Sequence, residues 1–473
     1  MSQKNETKLL VLSLLITAGL LGAGFWWFTS KSGVKLDGLS GSNSGESGSV
    51  SQPSERLQGR LSLGDKILVA ADTTPQKQEG VKAFAAGDFA EATTQLQSSL
   101  QVNRNDPEAL IYLNNAKTAN SNPLKIAVSV PIGGNLNVAK EMLRGVAQAQ
   151  DEVNKSGGIN GSLLQVEIAN DDNNPAIAKQ VAAQFVQDGS ILAVVGHNSS
   201  EASLAASSEY RNGKLVMISP TSDAKDLSGI GNYIFRTIPS IRFQAESLAN
   251  YAVKTARKTN SVVCLDSNSP SSQSLKDEFT SAMSNQGGKV VPIDCNLAAS
   301  NFNAGAVISQ AISQGADSIL LLPSVDRITQ ALDVAQANQR RLSLLGSSTL
   351  YTIQTLQQGQ SAVNGMVLAV AWHPQAFPGN PFARNAVQLW GGEVNWRSAT
   401  AYDAVQAIVS GLRQSQTRQE LQKALSSPGF SVNGATGAVQ FSSGGDRNGA
   451  AILVQIEPGQ ISNTGFDFVP LKP

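Results

Sequence analysis

The sequence predicts an α/β protein: two lobes on parallel sheets, preceded by a short all-helical segment and an apolar N-terminal helix. Three observations predict it. From residue 124 onward, short and wholly apolar runs alternate with amphipathic helical stretches, the pattern of parallel strands covered on both faces. That alternation breaks over residues 223–242, which divides the units into two lobes rather than one very wide sheet. Residues 9–28 form a run of 20 without a charge, the length a helix needs to cross a bilayer.

In chain order, the apolar run ends in Phe25, Trp26, Trp27 and Phe28, an aromatic cluster suited to a membrane interface. Lys4 and Lys8 precede it, and Lys31 and Lys35 follow. An uncleaved anchor and a signal peptide cut near Gly22-Ala23-Gly24 both fit; the length of the run favours the anchor. Either places the remainder outside the cytoplasm. Residues 38–54 contain 7 Ser and 4 Gly, a flexible spacer with a root-mean-square span of about 20–25 Å. Residues 67–71 read as a short strand. Residues 77–120 read as helices, with Val81, Phe84 and Phe89, then Ala92, Leu96, Ser99 and Leu100, at helical spacing. Gly87-Asp88 separates the first helix from the second, and Asp106-Pro107 caps and opens a third. This stretch resembles a tetratricopeptide repeat, with Phe84, Gly87-Asp88-Phe89, Ala92 and Pro107 placed much as in that motif. One repeat buries too little to stand alone, so it packs on the following domain or on another chain, as a stalk or as a partner-binding surface.

Strands are predicted at residues 126–130, 163–169, 191–195 and 215–218, then at 262–265, 289–293 and 319–322. Helices are predicted at 138–154, 174–188, 200–212, 275–286, 304–314 and 328–338. The division is therefore residues 1–30 for the tip and anchor, 31–60 for the linker, 61–122 for the helical segment and 123–473 for the two-lobed domain.

Composition narrows the function. Lys+Arg and Asp+Glu are both 36, so the net charge is zero, and a nucleic-acid partner, which demands a basic face, is excluded. Two histidines leave little material for zinc or His-based catalysis. In open parallel sheets ligands bind beyond the carboxyl ends of the strands. There the sequence places Gly196-His197-Asn198-Ser199-Ser200 and Ser219-Pro220-Thr221-Ser222-Asp223, two hydroxyl-rich loops at helix N-termini, suited to a carboxylate.

From residue 124 to about 458 the chain resembles a type I periplasmic binding protein of the branch that binds leucine, isoleucine and valine, or related amides, for ABC importers. The matching stretches are Ile126-Ala127-Val128-Ser129-Val130-Pro131, Leu143-Arg144-Gly145-Val146, Gly157-Gly158-Ile159-Asn160-Gly161, Asp171-Asp172 with Pro175, Val194-Val195-Gly196-His197, Ile218-Ser219-Pro220, Phe235-Arg236-Thr237 and Tyr402-Asp403-Ala404-Val405. The resemblance implies two Rossmann-like lobes, about 124–238 with 374–440 and about 241–370 with 441–473, hinged at 237–241 and 371–374. It implies a small polar ligand, an amino acid or amide, with no cofactor, no metal and no catalysis, and an ABC permease as partner. Ser200 stands where amino-acid-binding members hold the ligand carboxylate; Thr221 and Asp223 stand where they present a carbonyl and a hydroxyl. Val138, Ser271 and Ser324 fall near positions of aromatic pocket walls, and Ser348 or Thr349 near an acid for the ligand ammonium. The implied contacts are Asn137, Asn198, Ser199, Ser200, Thr221, Ser222, Asp223, Ser271, Ser324 and Ser348, in a pocket stripped of aromatic walls and of a lobe-two acid. An enclosed Asp223 then requires a cation nearby. The alternative is a sensor or assembly protein that uses the helical segment for a protein partner.

Rival chemistries are weaker. His197 beside Ser199 and Ser200 is not a nucleophile elbow. Asp171-Asp172-Asn173-Asn174 lacks the Gly and distal Glu of a calcium loop. Cys264 and Cys295, near the ends of neighbouring predicted strands, fit a disulfide or two buried thiols.

Overall fold

The computed structural model of the protein describes Leu57 and residues 59–471. The expected anchor at 9–28 and the Ser/Gly spacer at 38–54 lie outside the described residues. Among the described residues no helix is long and apolar enough to cross a membrane.

The chain enters through a short strand, β1 (Leu61–Ser62), then three helices, α1 (Pro75–Ala85), α2 (Phe89–Val102) and α3 (Pro107–Thr118). Each has the cap its sequence supplies: the Thr74, Asp88 and Asp106 side chains accept from the amides of Lys77, Glu91 and Ala109. Residues 67–71 do not form the predicted strand. The amides of Leu68 and Val69 donate instead to the Glu108 carboxylate at 2.7 and 3.1 Å, so a side chain replaces the partner strand. Every residue of α3 except Lys117 is buried. α3 packs against α2 and, in the first lobe, against the helix at Leu136–Lys155 and the strand at Leu164–Asn170.

The first of the two sheets follows as β2 (Leu124–Val130), α4 (Leu136–Lys155), β3 (Leu164–Asn170), α5 (Pro175–Gln187), β4 (Ile191–Val195), α6 (Ser200–Asn212), β5 (Val216–Ser219) and β6 (Ile234–Arg236). Its order is β1-β3-β2-β4-β5-β6, parallel except for β1. Residues 223–242, read from sequence as irregular, hold β6 and the start of the next helix. The second sheet is built by α7 (Ile241–Asn250), β7 (Asn260–Leu265), α8 (Pro270–Asn285), β8 (Lys289–Val290), α9 (Ala304–Ser313), β9 (Ser318–Leu322), α10 (Ile328–Asn338), β10 (Ser343–Gly346), α11 (Ile353–Gly359) and β11 (Val367–Val370). The chain then returns to the first lobe with α12 (Phe382–Trp390), α13 (Trp396–Leu412), α14 (Arg418–Leu425) and the hairpin β12 (Val432–Gly434)–β13 (Gly437–Val439). Finally β14 (Ile452–Pro458) and β15 (Phe466–Pro470) add antiparallel to the second sheet, whose order is β15-β14-β11-β10-β9-β7-β8.

β8 stops at Val290, short of the predicted 293, and the chain bends away so that Cys295 reaches Cys264 at the end of β7; the two cysteines form a disulfide. Strands such as β9, Ser-Ile-Leu-Leu-Leu, are buried along their whole length because helices cover both faces. Three crossings connect the lobes, after β6, after β11 and after β13. A buried knot binds two of them: Asp403 on α13 accepts from Arg447 Nη1 at 3.1 Å, and that guanidinium also donates to the carbonyls of Thr237, Thr436 and Ala438.

Candidate functional site

The carboxyl ends of five strands converge on one cleft. Loops after β4 and β5 supply its first wall, with Asn198, Ser199, Ser200, Glu201, Thr221 and Asp223; loops after β7, β9 and β10 supply the facing wall, with Ser269, Ser271, Pro323, Ser324, Val325, Ser348 and Thr349. Trp396 and Arg397, at the start of α13, form its floor. The cavity between the walls is about 70 Å³ and is partly open to solvent. Larger hollows among the described residues include those of about 240, 270 and 160 Å³, the last beside Trp372, Pro374 and Val394. The first borders Ile191, the opening residue of β4, and so lies at the wrong end of the strands for a ligand site of this fold; the second flanks the crossing at His373.

The first wall is held by a layered hydrogen-bond network. The Ser199 hydroxyl caps α6 by accepting from Ala202 N at 3.2 Å, and the Ser200 hydroxyl accepts from Ala224 N at 3.1 Å. The carbonyl of His197 accepts from Ser219 Oγ at 2.8 Å and Ser222 Oγ at 3.1 Å, and the carbonyl of Asn198 from Thr221 Oγ1 at 2.8 Å. Behind the loop, the buried His197 ring lies between Asp171 Oδ2 at 2.6 Å and the Tyr210 hydroxyl at 2.9 Å, and Ser129 donates to the same carboxylate oxygen. Burial alone would raise the Asp171 pKa; its hydrogen bond and charge contact with His197 outweigh burial and hold it below the usual carboxylate value. These groups are occupied with one another and sealed from the cleft, so they orient the loop.

The predicted contacts divide accordingly. Asn198, Ser199, Ser200, Thr221, Asp223, Ser271, Ser324 and Ser348 line the cavity together. Ser222 points behind the wall, where it bonds Ser203 and the His197 carbonyl. Asn137 is exposed on the first turn of α4, outside the cavity, and Val138 beside it is buried in the first-lobe core. The expected loss of aromatic walls is corrected by Trp396. Sequence reasoning missed Trp396 and Arg397; the signal was Asn395, whose side chain accepts from Arg397 N at 2.9 Å and so starts α13 at the cleft.

Charge sits on one side. Asp223 is buried; burial raises its pKa, against donation from Ser271 across the cleft and from Gln244 Nε2 at 3.1 Å, with Arg236 the nearby cation. Arg397 is 3% exposed, stacks its guanidinium 4.4 Å from the Trp396 ring centroid, and donates from Nη1 to the Tyr351 carbonyl at 3.3 Å. Burial lowers its pKa to about 10. The second-lobe wall carries no ionisable side chain among the described residues. The lobes also touch directly: Trp396 Nε1 donates to the Ser348 carbonyl at 3.2 Å, and Lys225 N to Ser274 Oγ at 3.1 Å. Among the described residues no group of three or more His, Cys, Asp or Glu side chains is arranged to hold a metal.

Comparison with known proteins agrees with this architecture. The periplasmic binding protein family matches residues 123–460. The Leu/Ile/Val-binding protein BraC3 of Rhizobium johnstonii is 24% identical over 347 residues, covering 72% of this chain and 93% of the relative. The Leu/Ile/Val-binding protein of Escherichia coli K12 is 23% identical over 332 residues, 69% of this chain and 88% of the relative. Among solved structures, a leucine-binding protein from Thermotoga maritima superposes with a TM-score of 0.65 at 21% identity, over 74% of this chain and 99% of that one. A solute-binding protein from Rhodopseudomonas palustris, in complex with 3,4-dihydroxybenzoic acid, gives 0.63 at 15% identity, over 74% and 97%. With its two sheets, a hydroxyl-lined cleft at their strand ends and a match over most of its length, the chain belongs to the periplasmic binding protein family.

Proposed function

We propose that this protein captures a small polar solute of the amino acid or amide class between its two lobes, outside the cytoplasm, and presents it to an ABC importer. The observation that carries the reading is the convergence of five strand ends from two sheets on one polar cavity. Capture needs no chemistry: a ligand that contacts both walls favours the closed arrangement by the difference in its contacts between the closed and open forms. Relatives named for leucine, isoleucine and valine, and a structural neighbour holding a benzoic acid, support a small-solute role. The uncharged run at residues 9–28 supports a tether that keeps the receptor at the membrane. The geometry speaks against docking a partner through α3, which has almost no free surface.

A thermal-shift screen of the full-length protein against amino acids, amides and small carboxylates tests the reading. A ligand raises Tm in proportion to the logarithm of its concentration above Kd. Absence of any shift with every compound at about 1 mM, a concentration that stabilises measurably whenever Kd is about 0.1 mM or lower, overturns it.

A further inference from the structure

Arg397 is the feature of the cleft that the hydroxyl-lined loops do not explain. It is a buried guanidinium in the cavity wall, and among the described residues no carboxylate lies within 4.0 Å of it. Other buried arginines of this protein are paired: Arg236 with Asp446, and Arg447 with Asp403. Glu141, whose charge is felt at Arg397, is bonded to Arg144 at 2.5 Å. A guanidinium has five donors in a planar fork. Here one is used, on the Tyr351 carbonyl. A buried cation without a counter-anion is costly, and removing one partner of a buried pair leaves this situation. Arg397 shares the cavity with the N-terminal turn of α6, whose end favours negative charge.

We propose that the occupant of the cavity is a small molecule bearing a carboxylate, and that its anionic group pairs with Arg397, so that the site selects carboxylates over the neutral amides of the same shape. This deepens the solute-binding reading and rests on it. Asp223 and Glu201, on the same cavity, offer the complementary place for an ammonium, which an amino acid fills and a simple carboxylic acid leaves empty.

The test is isothermal titration of the full-length protein with propionate, propionamide and L-alanine, repeated with Arg397→Met and Arg397→Lys. Propionate or L-alanine binds the wild type, and propionamide binds at least about 30-fold more weakly, the loss expected when a buried charge partner is missing. Arg397→Met loses carboxylate binding by a similar factor. Arg397→Lys, which keeps the charge without the planar fork, recovers part of it. The ligand-free Tm of Arg397→Met equals or exceeds that of the wild type, because an uncompensated charge has been removed. L-Alanine binding more tightly than propionate assigns the ammonium to the acids of the first wall, Asp223 and Glu201; equal binding assigns the site to simple carboxylates. Propionamide binding as tightly as propionate, carboxylate binding by Arg397→Met within threefold of wild type, or a ligand-free Tm lowered by more than about 5 °C overturns the role of Arg397 and leaves the solute-binding reading standing. Failure of all three probes to bind overturns the carboxylate assignment, and the wider screen then decides the solute-binding reading separately.

Discussion

Lys77→Met tests whether the helical segment is part of the first lobe or a module appended to it. Lys77 Nζ lies 2.7 Å from Asp106 Oδ2 and 2.7 Å from Glu108 Oε2, and all three side chains are fully buried. Burial disfavours the charged lysine, but Glu108 and Asp106 outweigh it, so its pKa is raised and the cation is held. The methionine has nearly the same volume and leaves two carboxylates without a cation. Breaking a buried ion pair from one side costs about 3–5 kcal/mol. Four donors remain, from Leu68 N, Val69 N and Tyr112 Oη to Glu108 and from Ala109 N to Asp106, which places the loss near the lower end, about 3 kcal/mol. The assay is equilibrium urea unfolding followed by far-UV circular dichroism at pH 7, repeated at pH 5, where protonation of one carboxyl narrows the deficit. Asn115, on the same helix, ties α3 to the sheet by donating to Val166 O at 2.8 Å and accepting from Val166 N at 3.0 Å, so the loss appears in a single transition. A deficit below about 1 kcal/mol, or a helical segment that melts in a separate earlier transition, refutes the reasoning.

Two further outcomes follow from buried groups outside the cleft. The Cys264–Cys295 disulfide closes a loop of 31 residues, so the paired Cys264→Ser/Cys295→Ser variant loses about 3–4 kcal/mol in the same unfolding assay on chain-entropy grounds. His373 accepts from Gln375 N on Nδ1 at 3.2 Å and donates from Nε2 to the Phe468 carbonyl at 2.9 Å. A second ring proton would meet an N–H; burial lowers the pKa from 6.5 to about 4, partly opposed by the Phe468 bond. A depressed basic pKa means that the unfolded chain binds the proton first. The contribution is therefore complete above pH 6.5 and is lost as pH falls towards 4, by up to about 3 kcal/mol. His373→Asn, measured against wild type from pH 7 to pH 4, flattens that slope; an unchanged slope counts against it.

How much of this was legible depends on how local each signal was. Asn174 before Pro175, Asp106 before Pro107 and Ser199 before Ser200 mark helix starts because a cap acts on amides two or three residues away, and the structure has all three. The apolar runs at 191–195 and 319–322 are strands because burial on both faces leaves no other composition. The same reasoning misread 67–71, where the satisfying group is the carboxylate of Glu108, some 40 residues away. It also stretched β8 through Pro292, beyond which the disulfide directs the chain. In the site, the loops after β4 and β5 were legible because their hydroxyls follow apolar strands directly. Arg397 was not: it reaches the cleft from α13, more than 170 residues beyond those loops, and nothing near it in sequence signals its burial.

The placement of charge in the cleft also bears on how it closes. Asp223 and Arg397 both belong to the first lobe, and both already bond the second, Asp223 by accepting from Ser271 and Arg397 through the Tyr351 carbonyl. A ligand that takes over either group must therefore replace a direct link between the lobes, and it favours closure only by the surplus of its own contacts with the second wall. These two links predict a ligand-free protein biased towards the closed form. Ser271→Ala removes the hydroxyl from Asp223 while leaving Gln244 in place. Loss of a charge-assisted hydrogen bond of this kind shifts the closed–open balance by about 1.5–3 kcal/mol, roughly 10- to 150-fold. Small-angle scattering of the ligand-free protein then reports a larger radius of gyration for the variant, and a saturating ligand restores the wild-type value. Equal radii for wild type and variant without ligand mean that the Ser271–Asp223 contact does not hold the lobes together, and the bias towards closure must then be abandoned.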